Sequence, residues 1–260
     1  MAIGFLGVGT ISTAVIRAMA RRPSPPEEIL LSPRSERLST ALAEEFAHCR
    51  RLASNEEVVE HSDIVVLAMR PQQLDEALEG LRFRADQVIA SFVAGTPPSQ
   101  MAGLVAPAAR VAQLIPLPAI ELDRGPLLIC PAIPEVERAF AGLGDVICWE
   151  DESRIRVFSC ASAYMSTYYE MQNRIIEWME ARGVERDVAA RYILSELDGL
   201  AAVGKATPVE RLDELPDEHQ TRGGLNERVR RTLSEQGWFG ELVAALDDTY
   251  DNAVLRRAGE

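Results

Sequence analysis

The residues with the clearest chemical potential stand at the start of the chain. Ile3-Gly4-Phe5-Leu6-Gly7-Val8-Gly9-Thr10-Ile11-Ser12 runs from an apolar stretch through a Gly-x-Gly turn into a helix start. Gly7 permits a tight turn, and Gly9 lets a phosphate come up to the backbone. A helix opening at Thr10 and Ile11 adds unpaired N–H groups and a partial positive charge, so the chemistry on offer is pyrophosphate binding. Ser12 holds a third position where Gly or Ala is usual, and its small side chain still lets helix and strand approach. A tight turn with no ligand is the plain alternative.

A second stretch, Leu31-Ser32-Pro33-Arg34-Ser35-Glu36-Arg37, bears on which dinucleotide would bind. An acidic residue at the end of the second strand would hydrogen-bond the free ribose of NAD, and none stands at that point. Ser32 and Arg34 offer instead a hydroxyl and a guanidinium to a 2′-phosphate, so the expected cofactor is NADPH. An exposed helix start capped by Ser35 competes with this reading.

These residues need a scaffold, and the chain alternates short apolar runs with amphipathic stretches as a parallel sheet with crossover helices does. Strands are predicted at Ala2–Leu6, Glu28–Leu31, Ile64–Ala68, Val88–Val93, Val111–Ile115 and Leu127–Cys130, with helices near Ile11–Arg21, Arg34–Phe46, Gln73–Gly80 and Pro98–Leu104. After Trp149 the pattern changes. Asp151–Arg182 holds no Gly or Pro and repeats apolar residues at helical spacing, which predicts one long helix capped by Asp151 and stopped at Gly183. At ~1.5 Å per residue such a helix spans roughly 45 Å, the length of helices that cross a subunit interface. Further helices are predicted at Arg186–Val203, Leu225–Gln236 and Phe239–Arg257. The expected fold class is therefore an α/β Rossmann domain over residues 1–150, doubly wound on a mostly parallel sheet, followed by an all-α domain over residues 151–260.

Composition narrows the partners. A formal charge of −13 disfavours the broad basic surface that nucleic acid or an anionic membrane requires, which leaves a small-molecule substrate. Lys205 is the only lysine, so lysine-dependent chemistry has one candidate, and its place at a helix end suits a bland role at the helix dipole. Cys49, Cys130, Cys148 and Cys160 are scattered and form no metal-binding pattern; they read as reduced, mostly buried thiols, and no metal is expected. With no basic leader or cleavage pattern before the first strand, the expected location is the cytoplasm.

Three segments together resemble a known family. Gly7-Val8-Gly9, Ser32-Pro33-Arg34-Ser35 and above all Asp63-Ile64-Val65-Val66-Leu67-Ala68-Met69-Arg70-Pro71-Gln72 are similar to the pyrroline-5-carboxylate reductases, with Arg70 where the family usually has Lys. Ala94-Gly95, Arg110-Val111 and Pro118-Ala119 fall in register, and the resemblance covers nearly the whole chain. It implies NADPH-dependent reduction of the cyclic imine Δ1-pyrroline-5-carboxylate to proline, and a helical domain that joins two subunits in a homodimer or larger homo-oligomer. It also implies that Ala68 and Pro71 lie beside the nicotinamide ribose and Gly95 near the ring, with Arg70 a further cofactor contact. In the second half it implies a substrate loop at Thr221, Arg222, Gly223 and Gly224, where backbone N–H groups would bind a carboxylate, with Asn226 and Tyr164 as catalytic candidates.

The helical half also departs from the family. The run at the head of the long helix reads Phe158-Ser159-Cys160-Ala161-Ser162-Ala163-Tyr164, sharing only Ala163 and Tyr164 with it. Asn226 replaces a threonine hydroxyl, and an amide donates hydrogen bonds but is a poor proton donor. Leu114-Ile115-Pro116-Leu117-Pro118-Ala119 has lost two polar side chains of the matching family segment. Thr167, Tyr168 and Tyr169 share Tyr164's helix and are further candidates to protonate the imine nitrogen or orient the substrate, although aromatic residues at helical spacing are more often core or dimer contacts; His219 and Arg222 are candidate partners for an anion or plain loop residues; His48 and His61 read as surface. Two alternatives to the family reaction follow, a reductase of a different imine or carbonyl compound and a homologue that binds NADPH without catalysis. A β-hydroxyacid dehydrogenase is disfavoured because the long helix contains no lysine.

Overall fold

The computed structural model describes residues 1–252. Its first unit runs from Met1 to Ser159 and its second begins at Cys160, so the hand-over falls later than the change of sequence pattern at Trp149.

The first unit is an eight-stranded sheet: β1 (Ala2–Leu6), β2 (Glu28–Leu31), β3 (Cys49–Arg51), β4 (Ile64–Leu67), β5 (Val88–Ser91), β6 (Arg110–Pro116), β7 (Pro126–Cys130) and β8 (Asp145–Cys148). The order is β3-β2-β1-β4-β5-β6-β7-β8, all parallel except for the antiparallel β6–β7 pair. Alternate side chains enter opposite layers. Ile3, Phe5, Ile29, Leu31, Ile64 and Val66 point into one apolar cluster, and Leu6, Leu30, Val65 and Leu67 into the other. Helices α1 (Thr10–Ala20) and α2 (Glu36–Glu45) cover the first face. Helices α3 (Asn55–His61), α4 (Leu74–Leu78) and α5 (Pro98–Leu104) cover the second, and α6 (Pro134–Phe140) returns to the first. A sheet buried on both faces explains why its strands read as continuous apolar runs.

Strands β3 and β8 and helices α3 and α6 were not among the predicted elements. The two strands are the short edges of the sheet. Both helices carry start signals nonetheless: Ser54 Oγ accepts from Glu57 N–H at 3.2 Å while a Glu57 carboxylate oxygen accepts from Ala53 N–H at 3.1 Å, and Pro134 opens α6 ahead of Glu135 and Glu137.

The expected long helix is two helices. After a short 3-10 turn at Glu152–Arg154 come α7 (Ile155–Ser162) and α8 (Met165–Glu180), with a break at Ala163 and Tyr164. There the backbone tightens to i→i−3 bonds, Ala163 N–H to Cys160 C=O at 3.0 Å and Tyr164 N–H to Ala161 C=O at 3.5 Å. No Gly or Pro causes this, so periodicity alone could not show it; the Ser159 hydroxyl, which donates back to Ile155 C=O at 3.4 Å, is the kind of back-bond that bends a helix.

The second unit continues with α9 (Arg186–Ala206), α10 (Leu215–Glu218), α11 (Leu225–Glu235) and α12 (Trp238–Asn252). Residues 253–257 of the last predicted helix lie outside the described residues. The apolar core of this unit is small: Ile176, Ala189 and Ile193 are buried between α8 and α9, with Met179, Val184 and Leu197 packed around them.

Candidate active site

Strand order reverses between β1 and β4, and in doubly wound sheets ligands bind beyond the carboxyl ends of the strands at that point. A cleft of about 480 Å³ opens there. The β1–α1 turn contributes Gly9, Thr10, Ile11 and Ser12; β4 contributes Ala68, Met69 and Arg70; β5 and β6 add Phe92, Ala94 and the run Gln113–Pro116. Four of the expected cofactor contacts beside Gly9, namely Thr10, Ile11, Ala68 and Arg70, thus meet at one wall.

The turn itself is held by two serines. Gly7 has φ +97°, and a Cβ there would come within 2.5 Å of the Ala68 carbonyl oxygen, so the position demands glycine for both conformation and space. Its N–H donates to Ser32 Oγ at 2.9 Å, and its C=O accepts from Ser12 Oγ at 2.8 Å. Gly9 differs. A Cβ there meets nothing within 4 Å, so the space is open on the cleft side, which is what a phosphate approaching the N-terminus of α1 requires.

This geometry corrects the expectation for Ser32. It is 1% exposed with its oxygen engaged by Gly7, so it braces the turn from behind and does not face a 2′-phosphate. Arg34 is exposed, but it lines a separate cavity of about 330 Å³ together with Glu56, Glu76 and Glu79, and its guanidinium reaches Glu76 at 3.9 Å. A phosphate would compete with that carboxylate. Ser35 takes the N-cap position of α2 without a capping side-chain bond. Pro71 starts a 3-10 turn and Gly95, with φ +76°, follows Ala94; both border the cleft's strands without lining it.

The cleft is chemically quiet. Among the described residues Arg70 is its only charged one, and no carboxylate, His or Cys lines it. Among the described residues no three His, Cys, Asp or Glu cluster as a metal site. All four cysteines are free; Cys49, Cys130 and Cys160 are buried, and burial pushes the Cys49 thiol up to about 12 and Cys130 up to about 11, which keeps both protonated and unreactive near neutrality. Sequence reasoning missed Gln113, a polar residue 4% exposed on β6 that lines the cleft; only its interruption of an apolar strand could have signalled it.

The second unit positions the remaining candidates. Tyr164 sits at the α7–α8 break, half-buried, with its ring 6.3 Å edge-on from Tyr168, which in turn lies 5.4 Å from Tyr169. Burial, with the charge of Asp198 adding to it, raises the Tyr168 phenol. In the loop before α11 the expected donors have local partners. The Gly223 N–H donates to the Glu227 carboxylate and the Gly224 N–H to Thr221 C=O at 2.7 Å, so two donors expected to bind a substrate carboxylate are satisfied within the loop. Asn226 likewise donates from Nδ2 to His219 C=O at 2.7 Å, and the His219 Nδ1–H donates to Leu215 C=O at 2.9 Å. Thr221 and Arg222 remain exposed. Of the two histidines read as surface, His61 is exposed, whereas His48 is half-buried with Nε2 sealed and unpartnered.

Comparison with known proteins brings these features together. Residues 2–95 match the family model described as NADP oxidoreductase, coenzyme F420-dependent. The chain is 24% identical to a pyrroline-5-carboxylate reductase of Vibrio alginolyticus over 99% of this chain and 96% of that protein. A second pyrroline-5-carboxylate reductase, of Pseudomonas aeruginosa, is also 24% identical, over 99% of this chain and 96% of that protein. The fold of this chain is that of the family's solved structures, matching the 1-pyrroline-5-carboxylate reductase of Streptococcus pyogenes with a TM-score of 0.84 at 21% identity, over 97% of this chain and 98% of that one. The Plasmodium falciparum pyrroline carboxylate reductase, solved with NADP bound, matches with a TM-score of 0.83 at 17% identity over 96% of each chain.

Proposed function

We propose that the chain reduces the C=N bond of a cyclic imine with NADPH, Δ1-pyrroline-5-carboxylate giving proline. The observation that carries this reading is the full-length kinship with proteins named for that reaction. The cleft fits the cofactor: the open space at Gly9, the exposed N-terminus of α1 at Thr10 and Ile11, and the turn braced by Ser12 and Ser32 suit a pyrophosphate. Arg34 would take the 2′-phosphate, and Ala68, Arg70, Pro71 and Gly95 would border the nicotinamide half. When bound, the cofactor supplies a hydride to the imine carbon. The protein's part is to hold the acceptor, exclude water and let a proton reach the nitrogen, which a cleft without acids or nucleophiles suits. Tyr164 and Asn226 are the proposed groups at the imine nitrogen, and Thr221, Arg222, Gly223 and Gly224 the proposed carboxylate site.

The free cysteines fit a reducing compartment, and we place the protein in the cytoplasm. No helix of the described residues is long and apolar enough to cross a membrane. The second unit exposes Trp178, Tyr192, Leu194, Leu200, Leu225, Val229 and Val243 along four helices, which suits a homodimer or larger homo-oligomer. A second reading, reduction of an imine without a carboxylate, draws on the Gly223 and Gly224 N–H groups being engaged inside their own loop.

One assay separates the two. Purified protein is mixed with NADPH and either Δ1-pyrroline-5-carboxylate or 1-pyrroline, following loss of NADPH and formation of the ring amine. Turnover of the carboxylate, and with NADPH in preference to NADH, is the expected result. Turnover of 1-pyrroline alone would transfer the assignment to the second reading, and no oxidation with either would overturn both.

A further inference from the structure

Gln113 is a buried polar side chain in the wall of the cleft. It stands on β6 opposite Ser91 of β5, it is 4% exposed, and it forms part of the cleft wall between Phe92 and the apolar run that starts at Leu114. A buried amide is costly unless its groups find partners. One end has done so: Nε2 donates to Val93 C=O at 3.2 Å. A carbonyl can only accept, so this bond fixes which end of the amide is which. Oε1 is left without a partner among the described residues, it is not sealed as the orphaned hydroxyl of Thr96 is, and its residue lines the cleft.

An amide oxygen is an acceptor only. It rewards a ligand that brings an N–H or O–H to it and penalises one that brings a bare carbonyl oxygen, which would face it lone pair to lone pair. A protonated imine has such an N–H; an aldehyde or ketone has none. Position agrees with this. In the order β1-β4-β5-β6, Gln113 lies three strand spacings, roughly 14 Å, from the phosphate turn of β1, beyond the strand that carries Ala68 and Arg70.

We propose that Gln113 is a specificity-determining residue whose Oε1 accepts a hydrogen bond from the N–H of the protonated imine, selecting an iminium over a carbonyl compound as hydride acceptor. This rests on the reading of the cleft as the site of imine reduction. The bond forms with the charged substrate and weakens as hydride arrives and the nitrogen loses its positive charge, so it acts mainly on substrate binding.

The test is Gln113→Met, close in volume and without the acceptor, assayed with the imine that the wild type turns over. The expected result is a KM for the imine raised by about tenfold or more, with kcat changed less and NADPH affinity within about twofold of wild type. A role confined to packing would not separate KM from cofactor affinity in this way. An unchanged KM, or a loss of NADPH affinity with the imine KM unchanged, would overturn the proposal. Should the variant fail to fold, the wild type loaded with NADP⁺ is titrated with proline and with tetrahydrofuran-2-carboxylate, which differ at the ring N–H. Proline binding about tenfold or more tighter is expected, and equal affinities would overturn the proposal. If neither ring binds and no imine is reduced, the imine-reductase reading falls and this inference with it; an active wild type with an indifferent Gln113→Met sinks this inference alone.

Discussion

At the scale of single residues, the two glycines of the first turn do different work. Gly7 is required by the fold, since its φ of +97° and the Ala68 carbonyl both exclude a side chain. Gly9 has open space around its missing Cβ and is required, on the proposed reading, by the ligand. Gly7→Ala is therefore expected to lower unfolding stability by about 2 kcal/mol or more, measured by urea titration. Gly9→Ala is expected to leave the urea midpoint near that of wild type and to weaken NADPH binding, followed by cofactor fluorescence, by about tenfold. Equal losses of stability in both variants would remove the distinction. The turn also shows how far sequence reading reached. Gly7, Gly9 and the helix start are legible from type and spacing, whereas the clamping of Gly7 by Ser12 and Ser32 is not, because it needs the second strand brought beside the first.

At the scale of elements, the buried runs of β1, β2, β4 and β5 were readable because a sheet covered on both faces leaves no polar alternation to confuse them. The break at Ala163 and Tyr164 was not, since the apolar period passes through it unchanged. Nor was the internal use of loop donors by Glu227 and Thr221, which depends on a carboxylate four residues away folding back. Between elements, Gln87 does the joining. It is fully buried, its Nε2 donates to Val59 C=O at 2.6 Å and Ser62 C=O at 2.9 Å, and its Oε1 accepts from Arg84 N–H at 2.8 Å. These bonds tie the end of α3 to the start of β5. Gln87→Leu is expected to cost about 2–3 kcal/mol of stability in thermal or urea unfolding, with imine KM little changed in the protein that remains folded. A loss below about 0.5 kcal/mol would show that the three bonds are replaced by water.

At the scale of the whole molecule, the two units are built on different terms. The sheet unit has two extensive apolar layers, while among the described residues the helical unit buries only Ile176, Ala189 and Ile193 between its two longest helices. Leu194 is 51% exposed on α9, next in sequence to the buried Ile193, and Trp178 is 56% exposed on α8. Leu194→Glu should be harmless to an isolated chain and disruptive where that face is covered by another copy. The expected outcome in light scattering coupled to gel filtration is a dimer or larger species for the wild type and a smaller one for Leu194→Glu; a monomeric wild type would contradict the proposed assembly.

The sparse core between α8 and α9 has a consequence for how the protein withstands dilution. Among the described residues, three buried side chains there give little to set against the chain entropy of ordering five helices, and in the proposed assembly neighbouring copies would supply the missing cohesion. Heating would then produce two melting events. The upper one, belonging to the sheet, would stay at a fixed temperature, and the lower one would slide downward each time the sample is thinned.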